Sequence, residues 1–219
     1  MTSKTAIIFG ATGLIGSHVL RELINDDRYS RIILFSRKSV NTGNNKVQEI
    51  ITGFESKQLL ENHLRGDEIY CCLGTTIRKA RNQESFRKVD YDLPVMIGVA
   101  ARKNGITKML VVSSLGADAA TSNFYLRTKG EMEQTLRSLG IASLHFFRPS
   151  MLLGKRAESR PAETIGKTLM NTFSFLFIGG LQKYKAIHAV TVANAMIAVA
   201  NQPLAEEIYE SDEIRELGA

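Results

Sequence analysis

The chain has 219 residues, 44% apolar and 23% charged, a globular composition that fits one domain with at most a small second lobe. Such a length buries a core without a disulfide or metal staple, and the only two cysteines, Cys71 and Cys72, are adjacent, which excludes a disulfide framework and a spaced zinc site. The net charge of +6 is uneven: residues 206–219 carry six acids and one base, leaving +11 on the rest, which suits a polyanionic ligand, a nucleotide or nucleic acid, or else a solvated basic surface.

No apolar run approaches the ~18–20 residues that span a bilayer. The run Ile7–Phe9 is too short for a signal-peptide core. With reduced cysteines, the expectation is a cytoplasmic protein with no membrane contact.

The elements follow in chain order. Ala6–Phe9 is a short apolar run that ends in Gly10, and Leu14–Ile24 carries apolar residues at helical spacing. Arg31–Phe35 reads as a second strand, Val47–Ile51 as a weak third and Glu68–Leu73 as a fourth, closed by Gly74. Pro94 opens a helix through Ala101, which Asn104-Gly105 ends. Met109–Val112 and Leu144–Phe147 are the fifth and sixth strands, and Phe124–Leu139 between them is a helix ended by Gly140. Helices are expected over Glu163–Phe177 and Val190–Ala200. Apolar strands alternating with helices imply an α/β, Rossmann-type doubly wound parallel sheet. The expected division is a nucleotide-binding domain over 1–150 and, over 151–219, a small cap on the substrate side, integral with it.

The first strand runs into Gly10-Ala11-Thr12-Gly13-Leu14-Ile15-Gly16 and then a helix. Glycine permits the tight turn and lets the backbone approach a pyrophosphate, and free N–H groups at the helix start face the phosphates. The second strand ends in Phe35-Ser36-Arg37-Lys38, without the acid that would bind the ribose of NAD. A guanidinium clamps a phosphate through two hydrogen bonds, so Arg37, with Lys38 beside it, reads as the 2′-phosphate site of NADP(H). Leu73 and Gly74, at the exit of the fourth strand, are assigned to the pyrophosphate or the nicotinamide ribose. Cys71 and Cys72 read as core filler.

Tyr125 and Lys129 lie four apart on one helical face, after a strand that ends in Ser113-Ser114. A lysine ammonium favours the phenolate of a neighbouring tyrosine, which then exchanges a proton with a carbonyl or alcohol oxygen. A serine hydroxyl polarises the same oxygen; Ser114 is the first choice, with Ser113 open beside it. Gly130 inside a helical pattern costs ~1 kcal/mol against alanine and marks the approach of another backbone. The histidines share no ligand spacing, so no metal is expected. The cations Arg78, Lys79, Arg81, Arg87 and Lys88 lack the interleaved aromatics of a strand-binding platform and read as a solvated face, so nucleic acid is not a partner.

The sequence resembles the Tat-interacting-protein branch of the atypical short-chain dehydrogenases. The matching stretches are Gly10-Ala11-Thr12-Gly13 with Gly16, Cys71-Cys72-Leu73-Gly74-Thr75-Thr76, and Val89-Asp90 with Asp92. They continue through Ser113-Ser114, Gly116-Ala117-Asp118, Tyr125-Leu126 with Lys129-Gly130-Glu131, Phe147-Arg148-Pro149 and Glu158-Ser159-Arg160-Pro161. The resemblance implies a Rossmann fold, NADPH binding, Tyr125 as proton donor with Lys129 as its partner, and Leu152 and Arg160 as cofactor contacts. Only nine residues precede Gly10, so the longer N-terminal arm of the animal proteins has no counterpart and their binding to nuclear import receptors is not inferred. The acid that the family carries after the third strand is missing around Thr52-Gly53. The expected function is an NADPH-dependent oxidoreductase that reduces a carbonyl, or oxidises an alcohol, of a small molecule. A cofactor-sensing regulatory protein is the alternative, and a nucleotide-sugar epimerase needs a larger C-terminal lobe. The run Phe173–Phe177 is expected in the cap or at a homodimer contact.

Overall fold

The computed structural model describes residues 3–54, 56–154, 183–203 and 207–219. Seven parallel strands form the central sheet: β1 (Lys4–Phe9), β2 (Tyr29–Ser36), β3 (Val47–Ile51), β4 (Glu68–Cys71), β5 (Lys108–Val112), β6 (Ser143–Arg148) and β9 (Ile208–Glu210). Their order is β3-β2-β1-β4-β5-β6-β9. The chain winds outward from β1 in both directions, so the crevice between β1 and β4 is the topological switch point where such folds bind ligands. A separate two-stranded ribbon pairs β7 (Leu152–Leu153) with β8 (Ile187–His188).

Alternation along the strands makes two cores. Ala6, Ile8, Ile32, Leu34, Leu110 and Phe147 face one side, and Ile7, Phe9, Ile33, Phe35, Met109, Val111 and Phe146 face the other. On the first side α1 (Leu14–Ile24) packs with α7 (Ala189–Asn201), and α8 (Ser211–Leu217) joins them through Ile214. On the second lie α2 (Lys57–His63), α5 (Leu93–Lys103) and α6 (Phe124–Ser138). Each fully buried large apolar side chain contributes roughly 1.5–3 kcal/mol, so covering both faces with helices is what makes the continuous apolar strands stable.

The predicted helices at Leu14–Ile24 and Pro94–Ala101 form, and the second ends at Asn104 with Gly105 at φ +73°. Two short helices unmarked by periodicity, α3 (Ile77–Ala80) and α4 (Gln83–Arg87), are capped by Thr76 and Asn82. Between α4 and α5 the chain makes one π-helical turn, Lys88–Asp92.

Of the expected cap, residues 155–182 and 204–206 lie outside the described residues, as does the predicted helix Glu163–Phe177. What is described of the rest is laid into the sheet layers. The helix predicted over Val190–Ala200 covers α1, because Val192, Ala193, Met196 and Val199 present an apolar face to it. Ile208–Glu210 adds the seventh strand beside β6. Part of the acidic stretch is spent internally: Glu207 pairs with Arg137 at 2.7 Å and Glu210 with Lys183 at 2.8 Å.

Candidate active site

The turn after β1 is held by backbone contacts. Gly10 has φ +83°, and a β-carbon there would stand 2.6 Å from the Cys72 carbonyl oxygen; one at Gly16 would stand 2.2 Å from that of Gly10. The Gly13 N–H closes the turn on the Gly10 carbonyl at 2.8 Å. The Ser17 N–H makes the next bond, to Gly13. The amides of Leu14, Ile15 and Gly16 are therefore the unsatisfied donors of the first turn. No acid sits in that turn, so no side-chain carboxylate offsets the positive end of the helix dipole. Ala11 and Ile15 are buried and lend only their backbone, while Thr12 is exposed. This bare concave turn fits a diphosphate.

Phe35 pairs with Phe9, which sets Arg37 and Lys38 beside the turn, just past the end of β2. Both are exposed. The Ser36 hydroxyl donates to the Lys38 carbonyl at 2.8 Å and shapes this corner. Leu152 packs at the edge of the α1–α7 core, and Gly154 beside it lies against Leu14: a β-carbon at Gly154 would meet Leu14 Cδ1 at 2.8 Å. Arg160 lies outside the described residues.

Across the switch point, β4 leads into Cys72-Leu73-Gly74. Both thiols are held protonated. Burial pushes Cys71 up to about 11 and the partly buried Cys72, at the edge of the core, well above its ordinary value. A β-carbon at Gly74 would stand 3.5 Å from Asp90 Oδ1 and 3.9 Å from Lys129 Nζ, so the exit of β4 lies against Lys129.

Helix α6 brings Tyr125 and Lys129 to the same place. Asn123 caps it by accepting the Leu126 N–H at 3.1 Å. The Tyr125 ring is half-buried, tilted on fully buried Phe86 at 5.4 Å between centroids. Lys129 is 3% exposed, with Nζ 2.7 Å from Asp90 Oδ1 and 3.4 Å from the Val112 carbonyl oxygen. Burial pulls its pKa down, but the Asp90 carboxylate and Tyr125 outweigh it, and the net direction is upward. A β-carbon at Gly130 would stand 2.2 Å from the Ala119 nitrogen, the close backbone approach that this glycine suggests in the sequence.

The two serines part company. Ser113 is buried and its hydroxyl donates to Glu133 Oε1 at 2.5 Å. Ser114 is only partly buried, and its hydroxyl bond is a 3.4 Å contact to the next carbonyl. Glu133 is fully buried and accepts Arg148 Nε at 3.0 Å and a second Arg148 nitrogen at 2.5 Å, which pins α6 to the end of β6. Arg87, partly exposed, pairs with Glu131 and stacks on the Tyr91 ring at 4.1 Å. Sequence reading assigns no role to Asp90, Glu133 or Arg148. Two signals bear on Asp90: the matching stretch Val89-Asp90, and the place of Lys129 on the buried face of α6, where an ammonium needs a counter-charge.

The sequence matches the NAD dependent epimerase/dehydratase family over residues 6–211. Protein HTATIP2 of Rattus norvegicus is 32% identical over 201 residues, covering 90% of this chain and 81% of that protein. The mitochondrial protein FMP52 of Candida albicans is 30% identical over 212 residues, covering 94% and 92%. Among solved structures, UDP-glucose 4-epimerase of Thermotoga maritima with UDP-glucose superposes with a TM-score of 0.70 at 16% identity, over 98% of this chain and 81% of that one. The Bordetella bronchiseptica enzyme WbmH in complex with NAD+ gives 0.71 at 14%, over 95% and 75%. At such identities the likeness is one of fold. The fungal relatives are named mitochondrial, which overturns the cytoplasmic expectation; two adjacent free cysteines do not single out a compartment. The match over nearly the whole chain, the glycine turn and the Tyr125–Lys129 helix lead to one conclusion: the chain belongs to the NAD dependent epimerase/dehydratase family, in the Tat-interacting-protein branch of the atypical short-chain dehydrogenases.

Proposed function

We propose that the protein is an NADPH-dependent oxidoreductase that reduces a carbonyl, or oxidises an alcohol, of a small molecule. What carries this reading is the convergence of the β4 exit and α6, where Gly74 lies against Lys129, one helical turn from Tyr125, on the rim that also holds the bare glycine turn. The turn amides, with Gly10, Ala11, Thr12, Gly13, Leu14, Ile15 and Gly16 around them, hold the diphosphate. Leu73, Gly74 and Leu152 line the same crevice, and Arg37 with Lys38 takes the 2′-phosphate. The bound nicotinamide supplies or accepts the hydride.

The chain's own groups do the rest. Tyr125 gives a proton from its hydroxyl to the carbonyl oxygen as the alcohol forms, or takes it back in the reverse direction. Lys129 offers a fixed positive charge beside that hydroxyl and a donor for the nicotinamide ribose. Ser114 hydrogen-bonds the substrate oxygen; Ser113 is already committed to Glu133.

The test is a titration with NADPH and NADH, followed by a carbonyl screen of the parent chain and Tyr125→Phe. NADPH binds more tightly, and Arg37→Ala weakens NADPH about tenfold or more while leaving NADH unchanged, the scale of one charge-assisted hydrogen bond. Tyr125→Phe lowers turnover about 10²- to 10⁴-fold. Preference for NADH overturns the role of Arg37, and equal turnover removes Tyr125 from the chemistry.

A further inference from the structure

Between β4 and the π-helical turn the chain makes an arch with both feet at the candidate site. One foot is Gly74: a β-carbon there would stand 3.9 Å from Lys129 Nζ. The other is Phe86, fully buried, with the rings of Tyr125 at 5.4 Å and Phe124 at 5.7 Å between centroids. Helices α3 and α4 form the span and pack on each other. Its charge is lopsided. Residues 75–86 carry Arg78, Lys79 and Arg81 against one acid, Glu84, and all four are exposed. Among the described residues neither Arg78 nor Arg81 has an ion pair or a side-chain hydrogen bond.

Arg81 is the cation that local structure does not account for. Arg78 and Lys79 lie in the last turn of α3, where a positive charge complements the helix dipole. Arg81 follows the helix at φ +71° and ψ −30°, a conformation that costs a bulky side chain and suits glycine. It is held there from both sides: its N–H donates to the Ile77 carbonyl at 2.9 Å, and Asn82 opens α4 by accepting the Ser85 N–H at 2.7 Å. Backbone strain of this kind gathers at ligand clamps. From Arg81 to Phe86 the path is two extended steps and one helical turn, about 13 Å at most. An arginine side chain and a small ligand seated at Tyr125 bridge that distance.

We propose that Arg81, with Arg78 beside it, is an anion clamp for the substrate: the small molecule that meets Tyr125 carries a carboxylate or a phosphate, which the guanidinium grips through charge-assisted hydrogen bonds. The proposal rests on the oxidoreductase reading above and names the substrate class of that site. The nearby acids do not compete for the clamp. Glu131 is held by Arg87 and Asp90 by Lys129, and Glu84 sits in the first turn of α4, where the dipole favours it.

The experiment compares the full-length parent with Arg81→Gly and Arg81→Lys. Glycine removes the charge and suits the backbone, so the thermal midpoint holds or rises. Three probes are followed by NADPH oxidation: para-formylbenzoate, para-formylphenyl phosphate and the neutral methyl para-formylbenzoate. The parent prefers at least one anion over the ester by about tenfold or more in kcat/KM, and the favoured one names the group. This preference shrinks several-fold between about 20 mM and about 0.5 M salt. Arg81→Gly lowers it about tenfold, the scale of one charge-assisted hydrogen bond, chiefly through KM. Arg81→Lys keeps part of it. No preference in the parent, or a preference that survives Arg81→Gly, overturns the proposal. So does a loss shared equally by anions and ester, or a loss of NADPH affinity in its place, which would give the cation to the cofactor. Absence of turnover, or turnover untouched by Tyr125→Phe, would remove the oxidoreductase reading alone. Calorimetric titration of the two anionic probes then decides: weaker binding of either to Arg81→Gly upholds the clamp, and equal binding of both overturns it.

Discussion

Each end of the sheet holds a buried carboxylate beside a lysine, and the two are finished differently. At the amino end Glu68 is 1% exposed and accepts Tyr70 at 2.7 Å, Tyr29, and Lys4 at 3.2 Å. Tyr29 in turn accepts Asn201 at 2.7 Å, and Lys4 donates to Asn201 at 2.8 Å, so strands and α7 close into one network. Burial, reinforced by the Glu68 charge, pushes both tyrosines well above their ordinary value. At the carboxyl end the buried Lys129–Asp90 ion pair, at 2.7 Å, has fewer partners: the Val112 carbonyl oxygen lies 3.4 Å from the ammonium, and Asp90 Oδ2 accepts the Thr75 N–H at 2.9 Å. A saturated buried pair serves the fold. The pair with fewer partners, beside Tyr125 and the glycine turn, is the one that the proposed function draws on.

Substitutions sharpen this division. The largest effect belongs to Glu68→Ala, which removes the acceptor that Tyr29, Tyr70 and Lys4 share. It should lower unfolding free energy by about 3–5 kcal/mol in urea titration while leaving NADPH affinity unchanged. A loss of NADPH affinity in this variant would erase the contrast between the ends. Next comes alkaline pH. The Cys71 thiol, ordinarily at 9.0, is held up to about 11 in the folded chain. The folded chain therefore keeps a proton that the unfolded chain releases above pH 9, so stability is full below pH 9 and falls as pH climbs toward 11. The loss is about 2–3 kcal/mol. Urea midpoints from pH 8 to 11 measure it; Cys71→Ala removes this share, and Tyr70→Phe removes the share of the amino end above pH 10. Gly16→Ala places a methyl where the Gly10 carbonyl oxygen now lies at 2.2 Å. The turn must shift, and NADPH affinity should fall about tenfold, or 1.4 kcal/mol. An unchanged dissociation constant would mean that this turn does not hold the diphosphate. The smallest effect is that of Glu207→Ala, which breaks a half-exposed pair with Arg137 and should cost under about 1 kcal/mol by thermal denaturation, with no change in binding.

Most of the fold was legible because it is written in local patterns. The apolar runs that end in Gly10 and Gly74, and the helical spacing of Ile15, Val19, Leu20 and Leu23, each occupy a few consecutive turns of chain. The seventh strand was not legible: Ile208–Glu210 is three residues long, and only its pairing with Phe146–Arg148 makes it a strand. α3 and α4 are too short for periodicity and depend on the caps at Thr76 and Asn82. At the candidate site, the glycine turn and the spacing of Tyr125 and Lys129 are sequence features. The acids that fix them are not. Asp90 meets Lys129 from 39 residues away, and Glu133, like Lys129, turns inward on a helix whose other charges stay at least partly exposed. The choice between Ser113 and Ser114 needs the tertiary contact with Glu133, since alternation alone says only that they point apart.

The contact between Gly10 and the Cys72 carbonyl has a consequence for how this chain tolerates change. The loop is seated on the main chain of its neighbour, and a peptide oxygen is the same whatever side chain it carries. Position 72 is thus free to drift to any residue that fills the space without moving the loop by a fraction of an ångström. Position 10 has no such latitude: any side chain there would lift the first turn of α1 off the strand beside it.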